Sequence, residues 1–327
     1  MKKINYPLKF EPILQEKIWG GEKLRTLLYK KTIQKNIGES WEISGVAGNI
    51  SIVANGELKG ESLESLLTIY KDTFVGEKVF EAFAYQFPLL LKFIDAKDVL
   101  SLQLHPNDAL AKERHNSFGK TEMWYVMQAD QDANLIVGFK EKITKEEYLE
   151  KLKNKALLSI LNVDQVAAGD VYFIPTGRIH AIGAGVLLAE IQQTSDITYR
   201  IYDWDRQDAE GNYRELHTEL AIDAIDYKVQ KSYKSEYQAR LNASSNIIDC
   251  AYFTTNIIAI NKSLHVDNSD KDSFVIYMCV SGKVEFHYGN DSVEELLMGE
   301  TILMPASLNT FELLTNTASK LLEVYIK

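Results

Sequence analysis

The chain has 327 residues, 46% of them hydrophobic, which is room for more than one core, so two domains are the natural expectation. Lys and Arg number 36 against 46 Asp and Glu, a formal net charge of -10 at pH 7; the scattered basic residues argue against a nucleic-acid partner, while an anionic small molecule is still compatible. Only two cysteines occur, Cys250 and Cys279, which excludes a disulfide scaffold and leaves a single bridge open.

The opening segment, MKKINYPLKFEPILQ, is too polar for a secretory leader, and no apolar run approaches the length of a membrane span. A cytoplasmic protein with no membrane partner is expected. Residues 1–60 read as short β pieces punctuated by glycine, among them KIWGG and GESWEIS. In the second, Glu39, Trp41 and Ile43 alternate with Ser40, Glu42 and Ser44, and Asn55-Gly56 marks a tight turn. Trp19 and Trp41 suit either a sugar-sized pocket or the core, and core is the commoner use of each. Leu63, Leu66, Leu67 and Tyr70 have helical spacing, 77–85 suits a second helix, and FPLLLKFI (87–94) reads as a buried strand.

Gln103 and His105 then alternate with Leu102 and Leu104, so a strand puts both polar groups on one face, and Pro106 stops it. NDALAKER predicts a short helix starting near Asn107. EMWYVMQA and ANLIVGF read as strands. Thr144 with Glu147 forms a capping-box pattern for a helix of roughly fifteen residues. Residues 162–206 carry only turns and strands, 215–240 a short helix and a connection, and strands return from Asn246, with turns at Ser281-Gly282 and Gly289-Asn290. Helices thus interrupt a succession of short strands. The pattern favours a β-barrel or sandwich over regular βα alternation.

Two segments echo each other: Gly169-Asp170 through Pro175, and Gly299-Glu300 through Pro305. Each follows an apolar strand, EMWYVM in one half and FVIYMCV in the other, so two related barrels are expected. Five residues beyond Pro175 stands His180, whereas five beyond Pro305 stands Thr310. Only the first unit, 1–235, is expected to hold a metal; the second, 236–327, is expected to be smaller and metal-free.

His105, Glu122 and His180 make a divalent-metal set with an open position, for which zinc is the common occupant, and Gln103 is a neutral fourth candidate. A lone histidine is more often structural than a ligand, so spacing alone leaves the site open. Along VLLAEIQQTSDITYRIY, Glu190, Gln192, Thr194, Asp196, Thr198 and Arg200 share one parity, which suits bulk solvent or a wet cavity unless a bend near Ser195 breaks the register. Lys120, Arg178 and Arg200 are candidate cations for a phosphate or a developing oxyanion. Lys2, Lys3 and the lysines of 145–155 read as solubilising surface, and His115, His217, His265 and His287 as structural or surface groups.

LSLQLHPND, GKTEMWY, IPTGRIHAI and SDITYRIYDWDR, in that order, resemble the type I mannose-6-phosphate isomerases in their short bacterial form, and weaker similarity reaches KIWGG and GESWEIS. The resemblance implies two cupin-like β-barrels (jelly rolls) with short helical insertions. It also implies a zinc-dependent aldose-ketose isomerase acting on a sugar phosphate through a cis-enediol, with one ion per chain. Metal binding would fall on His105, Glu122, His180 and Gln103, and catalysis on Arg200, Lys120 and Glu190, with Glu190 the candidate base. The larger members carry a helical domain that this chain is too short to include. A cupin acting on another phosphorylated or free sugar, or a sugar-binding cupin without catalysis, are the alternatives. The oligomeric state is not legible.

Overall fold

The computed structural model describes residues 3–208 and 210–327, and Lys2 lies outside them. The chain begins with β1 (Ile13–Gly21), a short α1 (Lys23–Thr26), β2 (Ile37–Ile43) and a ribbon of β3 (Gly45–Val46) and β4 (Asn49–Ile50). Three helices follow, α2 (Leu63–Tyr70), α3 (Asp72–Val75) and α4 (Glu77–Phe83), then β5 (Leu89–Ala96), β6 (Leu102–Leu104) and α5 (Asp108–His115). Next come β7 (Glu122–Ala129), β8 (Asn134–Phe139), α6 (Lys145–Lys153), β9 (Leu161–Gln165) and β10 (Val171–Ile174). The first half closes with β11 (His180–Ile182), β12 (Val186–Gln193), β13 (Tyr199–Tyr202) and α7 (Thr218–Ile222). The remainder is β14 (Ala243–Asp249), β15 (Thr254–Ile260), β16 (Leu264–Asp267), β17 (Val275–Ser281) and β18 (Lys283–Tyr288), then β19 (Ser292–Leu297), β20 (Thr301–Met304), β21 (Thr310–Leu314) and β22 (Ser319–Tyr325).

Local signals account for most of these boundaries. Ser62 accepts the Ser65 N–H at the start of α2, and Asn107 accepts the Leu110 N–H at the start of α5, each relieving an orphan donor of the first turn. Both hydrogen bonds of the Thr144/Glu147 capping box form. The helix they start is shorter than expected: α6 ends at Lys153, Lys155 takes φ +53°, and a separate 3-10 turn covers Leu157–Ile160. That break lets Leu157 and Ile160 drop into the core beside Tyr148.

The strands assemble into antiparallel sheets ordered β1-β2-β5-β12-β7-β10 and β13-β6-β11-β8-β9 in the first half, and β14-β15-β22-β17-β20 and β16-β21-β18-β19 in the second. Here the expectation of two closed jelly-roll barrels is corrected. Every one of these sheets is open, running from one edge strand to another. The fold is all-β-dominated, with facing sheets held by side chains rather than by a continuous hydrogen-bond ladder. The crossings show why. Between β10 and β11 the chain turns through Pro175, which has no N–H to give a ladder, and between β12 and β13 residues 195–198 run outside any strand.

Strand alternation distributes the core on both faces. Leu89, Leu91, Phe93, Met123, Tyr125, Leu187, Ala189 and Ile191 face α2–α4 and the outer side of the β15/β17/β22 sheet, where Ile257, Ile276, Met278 and Leu322 meet them. Ile94, Trp124, Val126 and Leu188 face inward against Leu135, Val137 and Ile182 of the second sheet. The outer face of that sheet is covered by α6, the 3-10 turn and α7.

The echo between the halves is present at the level of pairing. The run β5-β12-β7-β10 repeats as β15-β22-β17-β20. Glu190 pairs across to Lys92 and Trp124, and Glu323 pairs in the same way to Asn256 and Tyr277. The second carboxylate is saturated by the Tyr277 hydroxyl at 3.0 Å, Lys271 at 3.1 Å, Asn256 at 2.8 Å and Ser244 at 2.7 Å. Where Glu122 stands opposite Ile174, the repeat has Val275 opposite Met304. Where the first half places a buried carboxylate, the second half has an apolar pair.

Candidate metal centre

Three separate stretches converge on one point. Gln103 on β6 lies beside His180 of β11 on one side and Arg200 of β13 on the other, so a row Arg200, Gln103, His180 crosses the five-stranded sheet. On the facing sheet, Lys92, Glu190 and Trp124 form a second row, with Glu122 one pair further along β7. His105 follows the end of β6, where its C=O accepts the N–H of Gly177 at 2.8 Å and so ties it to the turn that carries His180. Gly177 has φ +81°, and a Cβ there would meet the Ala224 carbonyl oxygen at 2.4 Å; no other residue fits that turn without displacing the loop after α7.

His105, Glu122 and His180 each present a ligand atom within 4.8 Å of the others, and all three are buried. Nε2 of His105 is 3.5 Å from Glu122 Oε2, and Nε2 of His180 is 3.4 Å from Glu122 Oε1. Both Nδ1 atoms lie 2.8 Å from backbone carbonyls, of Ile197 and Arg178 respectively. Each Nδ1 therefore carries the proton and each Nε2 lone pair faces the carboxylate, the orientation of metal-binding imidazoles. Burial drives the His105 imidazole well below its ordinary value and takes His180 down to about 4, so both rings are neutral. Burial, reinforced by the Glu190 charge, pushes the Glu122 carboxyl above its ordinary value.

Among the described residues this is the one cluster of His, Cys, Asp or Glu that meets metal-site spacing. His105 Nε2 and both oxygens of Glu122 are buried without a hydrogen-bond partner, with Lys120 Nζ 3.3 Å from Oε2. Unsatisfied acceptors that converge in this way are costly unless a cation meets them. The donor set fits a divalent ion. Gln103 is close by, but its Oε1 accepts from Ser101 at 3.2 Å while its Nε2 lies 3.4 Å from His180 Nε2. Its amide oxygen points away from the cluster.

The cluster borders a cavity of about 400 Å³ lined by Gln103, Lys120, His180, Glu190 and Arg200, together with Lys17, Trp19, Glu39, Trp41, Lys92, Asp196, Thr198 and Arg214. Trp19 and Trp41 are thus buried and also line the cavity. Glu190, Asp196, Thr198 and Arg200 reach it as their parity suggests, although the strand is broken: Glu190 comes from one sheet and Arg200 from the other. Arg178 does not line it. Its Nη1 donates to the Phe173 carbonyl at 3.0 Å and its guanidinium lies 5.2 Å from the Tyr233 ring centroid, a structural role. His115 bonds the Tyr199 hydroxyl and His217 accepts the Arg200 N–H. His265 and His287 pair with surface glutamates.

Lys92, Glu39 and Arg214 were not anticipated from the sequence. Lys92 Nζ is 3.1 Å from Glu190 Oε1, and Trp124 Nε1 donates to Glu190 Oε2 at 2.9 Å. Burial acts to raise the Glu190 carboxyl, but Lys92 and Lys120 outweigh it and hold the group below its ordinary value. Lys92 stays charged: burial works against it, and Glu190 and Glu39 more than compensate. A lysine inside FPLLLKFI was the available signal, since a buried ammonium demands a partner.

Residues 8–147 match the family model described as phosphomannose isomerase type I, catalytic domain. The chain is 34% identical over 310 residues to "Mannose-6-phosphate isomerase ManA" of Bacillus subtilis, covering 94% of this chain and 95% of that one. It is 40% identical over 219 residues to a mannose-6-phosphate isomerase of Streptococcus mutans, covering 67% of each chain. The crystal structure of the mannose 6-phosphate isomerase from Bacillus subtilis superposes with a TM-score of 0.88 at 30% identity, covering 98% of this chain and 99% of that one. With its site geometry and its match along nearly the whole length of such a relative, this chain belongs to the type I phosphomannose isomerase family.

Proposed function

We propose that this chain interconverts D-mannose 6-phosphate and D-fructose 6-phosphate through a cis-enediol, with one zinc ion held by His105, Glu122 and His180. The observation that carries this reading is the set of buried, unpartnered lone pairs of His105 and Glu122 beside a polar cavity. Bound there, a divalent ion supplies Lewis-acid stabilisation of negative charge on the sugar oxygens. Gln103 lines the cavity and would need to turn its amide to serve as a fourth ligand. Units 1–235 and 236–327, the first metal-bearing and the second metal-free, belong to the same proposal. So does a cytoplasmic location, in keeping with two unpaired cysteines.

The chain's own residues divide the remaining work. Glu190, ionised beside Lys92, is the base that takes the C2 proton of the aldose and returns it to C1 of the enediol, while the O2 hydroxyl proton passes to O1. Lys120 donates to the sugar oxygens. Arg200 and Arg214 take the phosphate. Arg206 and Arg214 lie 2.6 and 3.5 Å from the single carboxylate oxygen Asp203 Oδ1, while Arg200 donates from Nη1 to the Glu215 carbonyl at 2.9 Å and leaves a buried Nε without a partner. Lys17, Lys92 and Lys120 are by contrast already opposite carboxylates. Arg200 also stands two strands from His180, roughly 10 Å at ordinary strand spacing, a span suited to a hexose bound by its carbonyl end at one side and its phosphate at the other.

Two measurements check this. Chelator-treated protein should lose isomerase activity and regain it with zinc, cobalt or manganese; activity on mannose 6-phosphate absent both before and after metal sinks the reading. Arg200→Met and Arg214→Met should each raise KM for mannose 6-phosphate about 10- to 100-fold, the worth of a charge-assisted hydrogen bond, with metal content unchanged. A fall in kcat at constant KM in Arg200→Met would move that guanidinium from the phosphate to the enediolate. Faster turnover of free mannose than of the phosphate would assign the site to another sugar.

A further inference from the structure

Lys120 and Glu122 flank Thr121 at the start of β7, and both must be held to a fraction of an ångström for the roles given above. The backbone there is fastened by side chains from elsewhere. Gly119 N–H donates to Asp108 Oδ1 at 2.8 Å, and Thr121 N–H donates to Gln193 Oε1 at 2.8 Å. Gln193 Nε2 in turn donates to the same Asp108 Oδ1 at 3.0 Å. Asp108 is the first residue of α5, three residues after His105, so one carboxylate braces the approach to Glu122 and the helix that follows His105. A Cβ on Gly119 would lie 2.7 Å from the Asp108 nitrogen; the close approach depends on glycine.

The other oxygen of that carboxylate is held from the far half of the chain. Tyr252, in the turn between β14 and β15, donates its hydroxyl to Asp108 Oδ2 at 2.6 Å. Burial, and the Asp108 carboxylate itself, push the Tyr252 phenol up to about 12, so it remains a donor at any working pH. The Cys250 N–H to Phe253 C=O bond at 3.1 Å closes the turn that carries it.

We propose that Tyr252, Asp108 and Gln193 form a strut from the metal-free half of the chain to the metal cluster, in which Tyr252 is a positioning residue acting through Asp108 on the segment that presents Lys120 and Glu122. This rests on the isomerase reading only for its kinetic readout. It gives the second half a task in the reaction: the half that has Val275 in place of a ligand steadies the ligand of the other.

The test uses full-length protein carrying Tyr252→Phe, which removes one hydroxyl and no bulk. Amide exchange of the segment 119–123 should accelerate in the metal-free variant, and the visible spectrum of the cobalt-loaded variant should shift at unchanged metal stoichiometry. With mannose 6-phosphate, kcat should fall about tenfold, at the low end of what outer ligand-orienting contacts contribute, with KM within about twofold. In an Asp108→Ala background the same substitution should be silent, because the hydroxyl acts only through that carboxylate. Unchanged exchange, spectrum and kcat in Tyr252→Phe, with only a lower melting temperature, would overturn the strut. Wild-type protein without isomerase activity would instead overturn the functional reading, and exchange and cobalt spectrum would still decide the strut.

Discussion

Glu122→Gln should abolish metal retention and lower isomerase activity by about 10³-fold or more, because removing the one anionic ligand forfeits several kcal/mol of charge stabilisation. The same substitution should leave the melting temperature of the metal-free protein close to that of the parent. Burial and the neighbouring Glu190 raise the carboxyl above its ordinary value, so in the metal-free protein an uncharged amide of the same shape replaces a group whose charge the site disfavours. Metal analysis of dialysed protein, activity with excess zinc and calorimetry of the chelated forms together check both halves. A Glu122→Gln protein that kept stoichiometric zinc and near-normal turnover would remove Glu122 from the ligand set.

Glu190→Gln should separate chemistry from metal binding. We expect kcat to fall about 10²- to 10⁴-fold, the usual worth of a general base, at full metal content, with exchange of the substrate C2 hydrogen into solvent lost in parallel. Glu190 is a suitable base because Lys92 and Lys120 hold it ionised against the penalty of burial. Lys92→Met removes that support, so the Glu190 carboxyl should rise and the acid limb of the kcat profile should move to higher pH. Retention of C2 exchange in Glu190→Gln would transfer the base to another group, and an acid limb that does not move would break the link to Lys92.

The two carboxylates were unequally legible. Glu122 follows Lys120 in GKTEMWY, one of the segments that carry the resemblance, and its environment follows from strand parity: Glu122 and Trp124 look inward while Met123 and Tyr125 pack outward. Glu190 was visible as part of a polar parity, but whether that face met solvent or a cavity depended on the facing sheet. Its partner Lys92 was hidden inside an apolar run. Glu39, Arg214 and Asp108 carried no local signal, since their partners Lys92, Asp203 and Tyr252 are at distances along the chain that periodicity does not register. Arg178 shows the opposite error, a cation adjacent to a ligand in sequence and spent on a carbonyl and an aromatic ring.

By itself, the sequence determined local elements: the capping box of Thr144 and Glu147, the helix start near Asn107, the helical spacing of Leu63, Leu66, Leu67 and Tyr70, and the shared parity of Gln103 with His105. These are short-range properties, decided by backbone donors, two-residue alternation and residue chemistry. The tertiary structure decided that the sheets stay open rather than closing into barrels, because closure depends on whether edge strands come within hydrogen-bonding distance, and side-chain packing holds these sheets together without it. It also decided which charges meet. Lys92 meets Glu190 across adjacent strands of one sheet, Arg214 meets Asp203 eleven residues away, and Tyr252 meets Asp108 across the two halves, pairings that only the folded chain creates.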